Sequence, residues 1–150
     1  MRKIHYLFLM FFIVLSCNKN QIYHSFENLP EDKRWLCSLV QKHEFTIEEE
    51  ANYSVYLNIS NVFGTEMKTF PIELEITKPN GSIEKATIAV DLSVADCIGD
   101  ICDVKFPIRE NLKLEKGVYK IQFIPKSTYG FVPNIIGVGL TVEKAQLVKE

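Results

Sequence analysis

Over most of this chain the hydrophobic positions fall on every second residue. Tyr53, Val55, Leu57 and Ile59 alternate with Ser54, Tyr56 and Asn58, and Phe70, Ile72, Leu74 and Ile76 alternate with Pro71, Glu73, Glu75 and Thr77. A period of two puts one face on a core and the other in water, so both segments predict β-strands. The pattern returns in Ile83 to Leu92 (Ala86, Ile88, Val90, Leu92), in Val104, Phe106 and Ile108, in Val118 to Ile124 and in Ile136 to Val142. Gln21 to Phe26 and Glu44 to Ile47 read as shorter strands, the first at a sheet edge. Leu29-Pro30-Glu31-Asp32, Pro79-Asn80-Gly81 and Gly117 supply turns. Residues 32–43 break the rhythm: the pairs Trp35/Leu39 and Leu36/Val40 have the spacing of a brief helix, with a loop as the other reading. Gly137 and Gly139 lie on one face of the last strand, where a missing side chain lets a backbone or ring come close. Seven or eight short strands with turns between them and hardly any helix predict an all-β fold. The architecture is a single antiparallel β-sandwich over residues 22–150, of jelly-roll or immunoglobulin-like topology.

The N-terminus follows another rule. Arg2 and Lys3 precede an apolar run from Ile4 to Leu15, broken only by His5. A charged start, a short apolar stretch and the small residue Ser16 describe an export signal over residues 1–16. The run is shorter than the roughly 20 apolar residues that cross a bilayer. Val14-Leu15-Ser16-Cys17 resembles a bacterial lipobox, which implies cleavage before Cys17 and acylation of its thiol and new amino group. An ordinary secretory signal with a chance cysteine is the other reading. Residues 17–21 then form a lipidated cysteine and a short tether. At about 3.3–3.6 Å per extended residue, the fold begins within roughly 15 Å of the lipid. The domain is expected to work close to its membrane or against a membrane-embedded partner; the other reading is that its early residues remain disordered and lengthen the tether.

Charge and chemistry narrow the function. Of 17 basic and 19 acidic residues, Arg2 and Lys3 belong to the leader, so the remainder carries a formal charge of about −4. No basic stripe is present, which argues against nucleic acid. Beyond Cys17 the cysteines are Cys37, Cys97 and Cys102, an odd set. Cys97 and Cys102 bracket a turn; they form a disulfide if their Cα atoms come within about 4.4–6.8 Å, and otherwise remain two thiols. Asp96, Asp100 and Asp103 surround them, but the spacing matches neither a zinc site nor a calcium loop, so no metal and no cofactor are expected. His24 and His43 sit in no catalytic motif, and His43-Glu44 reads as a solvated pair at the start of a strand. Asp91 and Asp103 flank a loop without forming a recognisable acid–base pair. Gly-x-Ser-x-Gly, His-Glu-x-x-His and phosphate-cradling loops are missing. No catalytic residue is assigned and an enzyme is not expected. Three Asn-x-Ser sequons, at Asn52, Asn58 and Asn80, carry no weight beside a bacterial lipobox.

Several features occur in an order that resembles the gliding-motility lipoprotein GldH family of the Bacteroidetes. They are the lipobox at Cys17, the Tyr23, Trp35 and Phe45 spacing, Tyr53, Phe70-Pro71 and Pro79-Asn80-Gly81. Further on come Gly99-Asp100-Ile101-Cys102-Asp103, Gly117-Val118-Tyr119 and Ile135 to Lys144. Cys102 departs from the pattern, which has an aromatic there. The resemblance implies a non-enzymatic cell-envelope lipoprotein of the gliding apparatus, tied to type IX secretion, whose partners are other envelope motility lipoproteins. No acidic stretch follows Cys17, so the outer-membrane anchor is expected to face the periplasm. The alternative is a lipid-anchored glycan- or ligand-binding sandwich, for which Tyr56, Tyr129 and Phe131 are the candidate exposed aromatics.

Overall fold

In a computed structural model, which describes residues 20–145, nearly every alternating segment runs beside an antiparallel partner. The strands are β1 (Gln21–Asn28), β2 (Arg34–Leu36), β3 (Gln41–Ile47), β4 (Ala51–Val62), β5 (Thr69–Thr77), β6 (Ile83–Asp91), β7 (Asp96–Ile98), β8 (Ile101–Leu114), β9 (Gly117–Pro125), β10 (Phe131–Pro133) and β11 (Ile135–Lys144). A single 3-10 turn, Leu92–Val94, joins β6 to β7, with the Asp91 carboxylate accepting from the Ser93 N–H. One sheet has the order β1-β11-β4-β8-β7, a second the order β3-β9-β5-β6, and β2 pairs with β10 apart from both.

Two packed antiparallel sheets make the all-β sandwich the alternation calls for. The strand order also decides between the two topologies. With the short strands β2, β7 and β10 set aside, eight remain. They stand first–eighth–third–sixth in one sheet and second–seventh–fourth–fifth in the other. That interleaving is the double Greek key of a jelly roll.

The inward faces meet in one core. Tyr53, Val55, Leu57 and Ile59 of β4, with Val138, Leu140 and Val142 of β11, oppose Phe70, Ile72, Leu74 and Ile76 of β5 and Tyr119, Ile121 and Phe123 of β9. Burying side chains of this size contributes about 1.5–3 kcal/mol each. The β8 ladder slips against β4 near Val55 and Tyr56. There the buried Ser54 hydroxyl accepts from the Asn111 N–H at 3.0 Å. Beyond the slip Arg109 reaches across to Glu84 of β6, clasping the two sheets at one side.

The brief helix expected over residues 32–43 is absent. Trp35 pairs with Val132 in the β2–β10 bridge and is fully buried, edge-on to Phe70 and Phe123 at centroid distances of 6.1 and 5.9 Å. Leu36, Leu39 and Val40 are exposed. One large side chain is driven into the core here, not a helical stripe, so the four-residue spacing has no face to bury. The glycines on β11 do admit a close neighbour: a Cβ on Gly139 would lie 2.0 Å from the Ser25 carbonyl oxygen. One on Gly137 would lie 2.5 Å from Cε1 of Phe26.

Candidate functional site

The turn Gly99-Asp100 joins β7 to β8, and Gly99 takes φ +62°, as the first central residue of a two-residue hairpin loop requires. Cys97 and Cys102 stand directly opposite each other across this hairpin and are joined by a disulfide, their Cα atoms 4.0 Å apart, closer than the usual range of about 4.4–6.8 Å. Cys102 is buried beside the core strand while Cys97 is exposed, so the bond ties a protruding edge strand to the sandwich. The next pair outward is Ile98 opposite Ile101, 89% and 50% exposed. Phe63, which follows the end of β4 and is 64% exposed, donates its N–H to the Asp100 carbonyl at 2.9 Å. Adjacent backbones thus hold three large apolar residues in water at one tip of the sandwich, an arrangement that marks interaction surfaces more often than single exposed residues do. Asp96 lies opposite Asp103, which accepts from the Ser60 hydroxyl.

The outer faces of the sheets are different in character. On the first sheet a groove of about 440 Å³ runs past His24, Phe26, Asn58, Asp96, Asp103 and Lys105. Its polar groups largely engage one another. His24 Nδ1 and Asn58 Nδ2 meet the Thr141 hydroxyl at 2.9 and 2.6 Å, and Lys105 reaches Glu143 at 2.7 Å. On the second sheet a depression of about 620 Å³ is bordered by crossed charges, Glu75 with Lys85 at 2.9 Å and Glu73 with Lys126 at 3.0 Å, and Glu75 also accepts from the Gln122 amide at 2.9 Å. Exposed pairs of this kind are worth about 0–1 kcal/mol and organise a solvated surface.

The residues singled out from sequence are dispersed. Cys17 and the leader lie outside the described residues. Cys37 is a free, half-buried thiol. Asp91 caps the 3-10 turn and Asp103 holds Ser60, so each acid has its own local partner. Tyr129 is 74% exposed, whereas Lys105 covers the Tyr56 ring at 4.3 Å and Arg34 covers Phe131 at 4.9 Å. Among the described residues no three His, Cys, Asp or Glu side chains gather in a metal-binding group, and no helix is long and apolar enough to cross a membrane.

His43 corrects the reading of a solvated pair with Glu44. The inward register of β3 is Gln41, His43, Phe45, Ile47, so the imidazole is buried while Glu44 points out to Lys120 at 3.3 Å. The His43 ring stacks on Phe123 at 5.3 Å, and the Tyr23 and Ser25 hydroxyls each approach Nδ1 at 3.2 Å. Nε2 is buried without a partner. Burial holds the His43 pKa below the ordinary histidine value, partly offset by the negative charge of Glu27. The group closes the open side of the sandwich between β1 and β3. Phe63 is the surface residue that the alternating pattern missed: it keeps the odd-numbered phase of the buried β4 positions Tyr53 to Asn61, but it lies past the end of the strand, just before Gly64, and is exposed.

No protein-family model matches the chain, and no curated protein does. Among solved structures it is similar to the Eiger TNF from S. frugiperda at 14% identity and a TM-score of 0.38, over 71% of this chain and 67% of that one. At that level the likeness carries no functional argument, and the jelly-roll assignment stands on the strand order alone.

Proposed function

We propose that this chain is a lipid-anchored, non-enzymatic docking module of a bacterial cell envelope, akin to the gliding-motility lipoprotein GldH family. Acyl chains on Cys17 hold it to the outer membrane on the periplasmic side, and its sandwich docks on other envelope proteins of the motility apparatus. The observation that carries the reading is the Val14-Leu15-Ser16-Cys17 lipobox, set only a few residues before β1 begins at Gln21. A single acyl chain binds membranes marginally, whereas two or more anchor stably, so a fully modified Cys17 makes the domain a permanent membrane resident. Exposed Phe63, Ile98 and Ile101 support docking as its work. The glycan-binding alternative has Tyr129 in its favour, but cations already cover Tyr56 and Phe131.

Labelling cells with a palmitate analogue tests the anchor. The wild-type chain should carry the label and sediment with envelope membranes, and Cys17→Ser should lose both. A processed Cys17→Ser chain that stays in the membrane fraction refutes the anchor. Glycan-array binding that disappears in Tyr129→Ala would move the assignment to the ligand-binding alternative.

A further inference from the structure

Resting on the docking reading above, we infer that the partner seats on the disulfide-braced tip formed by Phe63, Ile98 and Ile101. We infer too that it is a protein presenting an apolar patch ringed by lysine or arginine. Charge sets the chemistry of the ring. Asp96 and Asp103 form the cross-strand pair two residues from the Ile98–Ile101 pair, Asp100 lies in the turn between them, and the nearest cation along the strand, Lys105, is taken up by Glu143. Among the described residues none of these three carboxylates forms an ion pair with a cation, unlike the crossed charges on the outer face of the second sheet. An apolar centre with an unneutralised acidic border selects a complementary basic border and repels anionic lipid headgroups.

The direction in which the tip points separates a protein from the anchoring membrane. Gln21 pairs with Glu143, which pairs with Ser54, whereas Asn28 pairs with Gly137, which pairs with Ser60 beside Asp103. The 8 residues of β1 therefore run from the pole where the chain leaves its tether to the pole that carries the tip, roughly 24 Å at strand rise. An anchor at Cys17 pulls on the first pole and leaves the second facing away from the lipid. The Cys97–Cys102 bond and the full pairing of β7 with β8 fix the hairpin in advance, so docking orders little chain and the contact retains more of its binding energy. The groove on the first sheet is the weaker surface, because His24, Asn58 and Lys105 already spend their hydrogen bonds on Thr141 and Glu143.

The test uses the full-length chain in its own cells, with a photo-crosslinking residue at Ile98 and, as a control on the far sheet, at Lys85. Light should yield an adduct from Ile98 to an envelope protein, with the attached peptide mapping to an apolar surface that bears lysine or arginine. The yield should fall by about tenfold or more with Phe63→Asp. It should also fall with Asp100→Lys, an exposed turn substitution that leaves thermal unfolding unchanged, and it should weaken as salt is raised. Protein adducts from Lys85 but not from Ile98 leave the docking reading standing and refute the tip. Adducts from Ile98 to lipid alone or to a second copy of this chain, or a yield indifferent to Asp100→Lys, also refute it. No protein adduct from either position counts against docking itself.

Discussion

Substituting alanine for Gly139 should detach the first strand from its sheet. An added Cβ would stand 2.0 Å from the Ser25 carbonyl oxygen and 2.8 Å from the Phe26 Cα, and both obstacles are backbone. Relief requires β1 to move out by more than about 1 Å, which stretches the neighbouring ladder bonds beyond hydrogen-bonding range. Overpacking of this kind costs about 1–3 kcal/mol, and each ladder bond lost adds a net 1 kcal/mol or so, giving an expected loss of about 2–4 kcal/mol. Gly137→Ala is the internal control. Its nearest obstacle, at 2.5 Å, is the ring of Phe26, which is 40% exposed and can swing outward, although the Glu27 carbonyl stays at 2.9 Å. The cost should be smaller, and Phe26→Ala should rescue Gly137→Ala but not Gly139→Ala. Urea unfolding followed through Trp35 gives the free energies, and amide exchange over residues 21–28 reports the strand directly. A Gly139→Ala chain within about 0.5 kcal/mol of wild type, with β1 amides still protected, would refute the close approach.

Three further outcomes are expected. Burial holds the His43 pKa in the folded chain below the ordinary histidine value of about 6.5, so its contribution to stability is complete above that pH and declines as pH falls and the unfolded chain takes up the proton first. The urea midpoint of wild type should therefore drop more between pH 7.5 and 5 than that of His43→Gln; parallel curves would place the imidazole in water. Replacing Cys97 and Cys102 by serine opens a small covalent loop and should cost about 2 kcal/mol, matched by reduction of the wild-type chain with dithiothreitol. Trp35→Ala empties the site between Phe70 and Phe123 and should cost about 3–5 kcal/mol by denaturant titration, whereas Leu36→Ala, on the exposed side of the same bridge, should change little.

Strands whose alternation runs for four or more apolar residues were legible in the sequence because burial of one face leaves its period in the chain. β4 and β5 are the clearest, with Tyr53 to Ile59 and Phe70 to Ile76 all turned inward. Elements too short for a period were not. β2 has 3 residues and buries one of them, so nothing in Arg34-Trp35-Leu36 distinguishes a bridge from a turn of helix. In β3 the inward positions begin with Gln41 and His43, and polar residues on the buried side hid its register until Phe45. The choice between jelly roll and immunoglobulin-like order depends on which distant strands become neighbours, such as β1 beside β11, and local alternation is the same for both. At the tip, Ile98 and Ile101 alternate with cysteines that are themselves apolar, so the sequence leaves open which set faces water.

The pairing of β1 with β11 has a mechanical consequence. The first strand lies with its axis along the line from one pole to the other, in unbroken register with β11 from Tyr23 opposite Val142 to Asn28 opposite Gly137, with a bulge between Gln21 and Tyr23. A force applied between Cys17 and a partner on the tip acts along that axis. It loads the rungs in shear, all together, and does not peel them one at a time. The close seat of Ser25 and Phe26 on Gly139 and Gly137 adds a steric catch against sliding. If the proposed lipid anchor and tip partner both hold, the resistance to that load sits at the first strand.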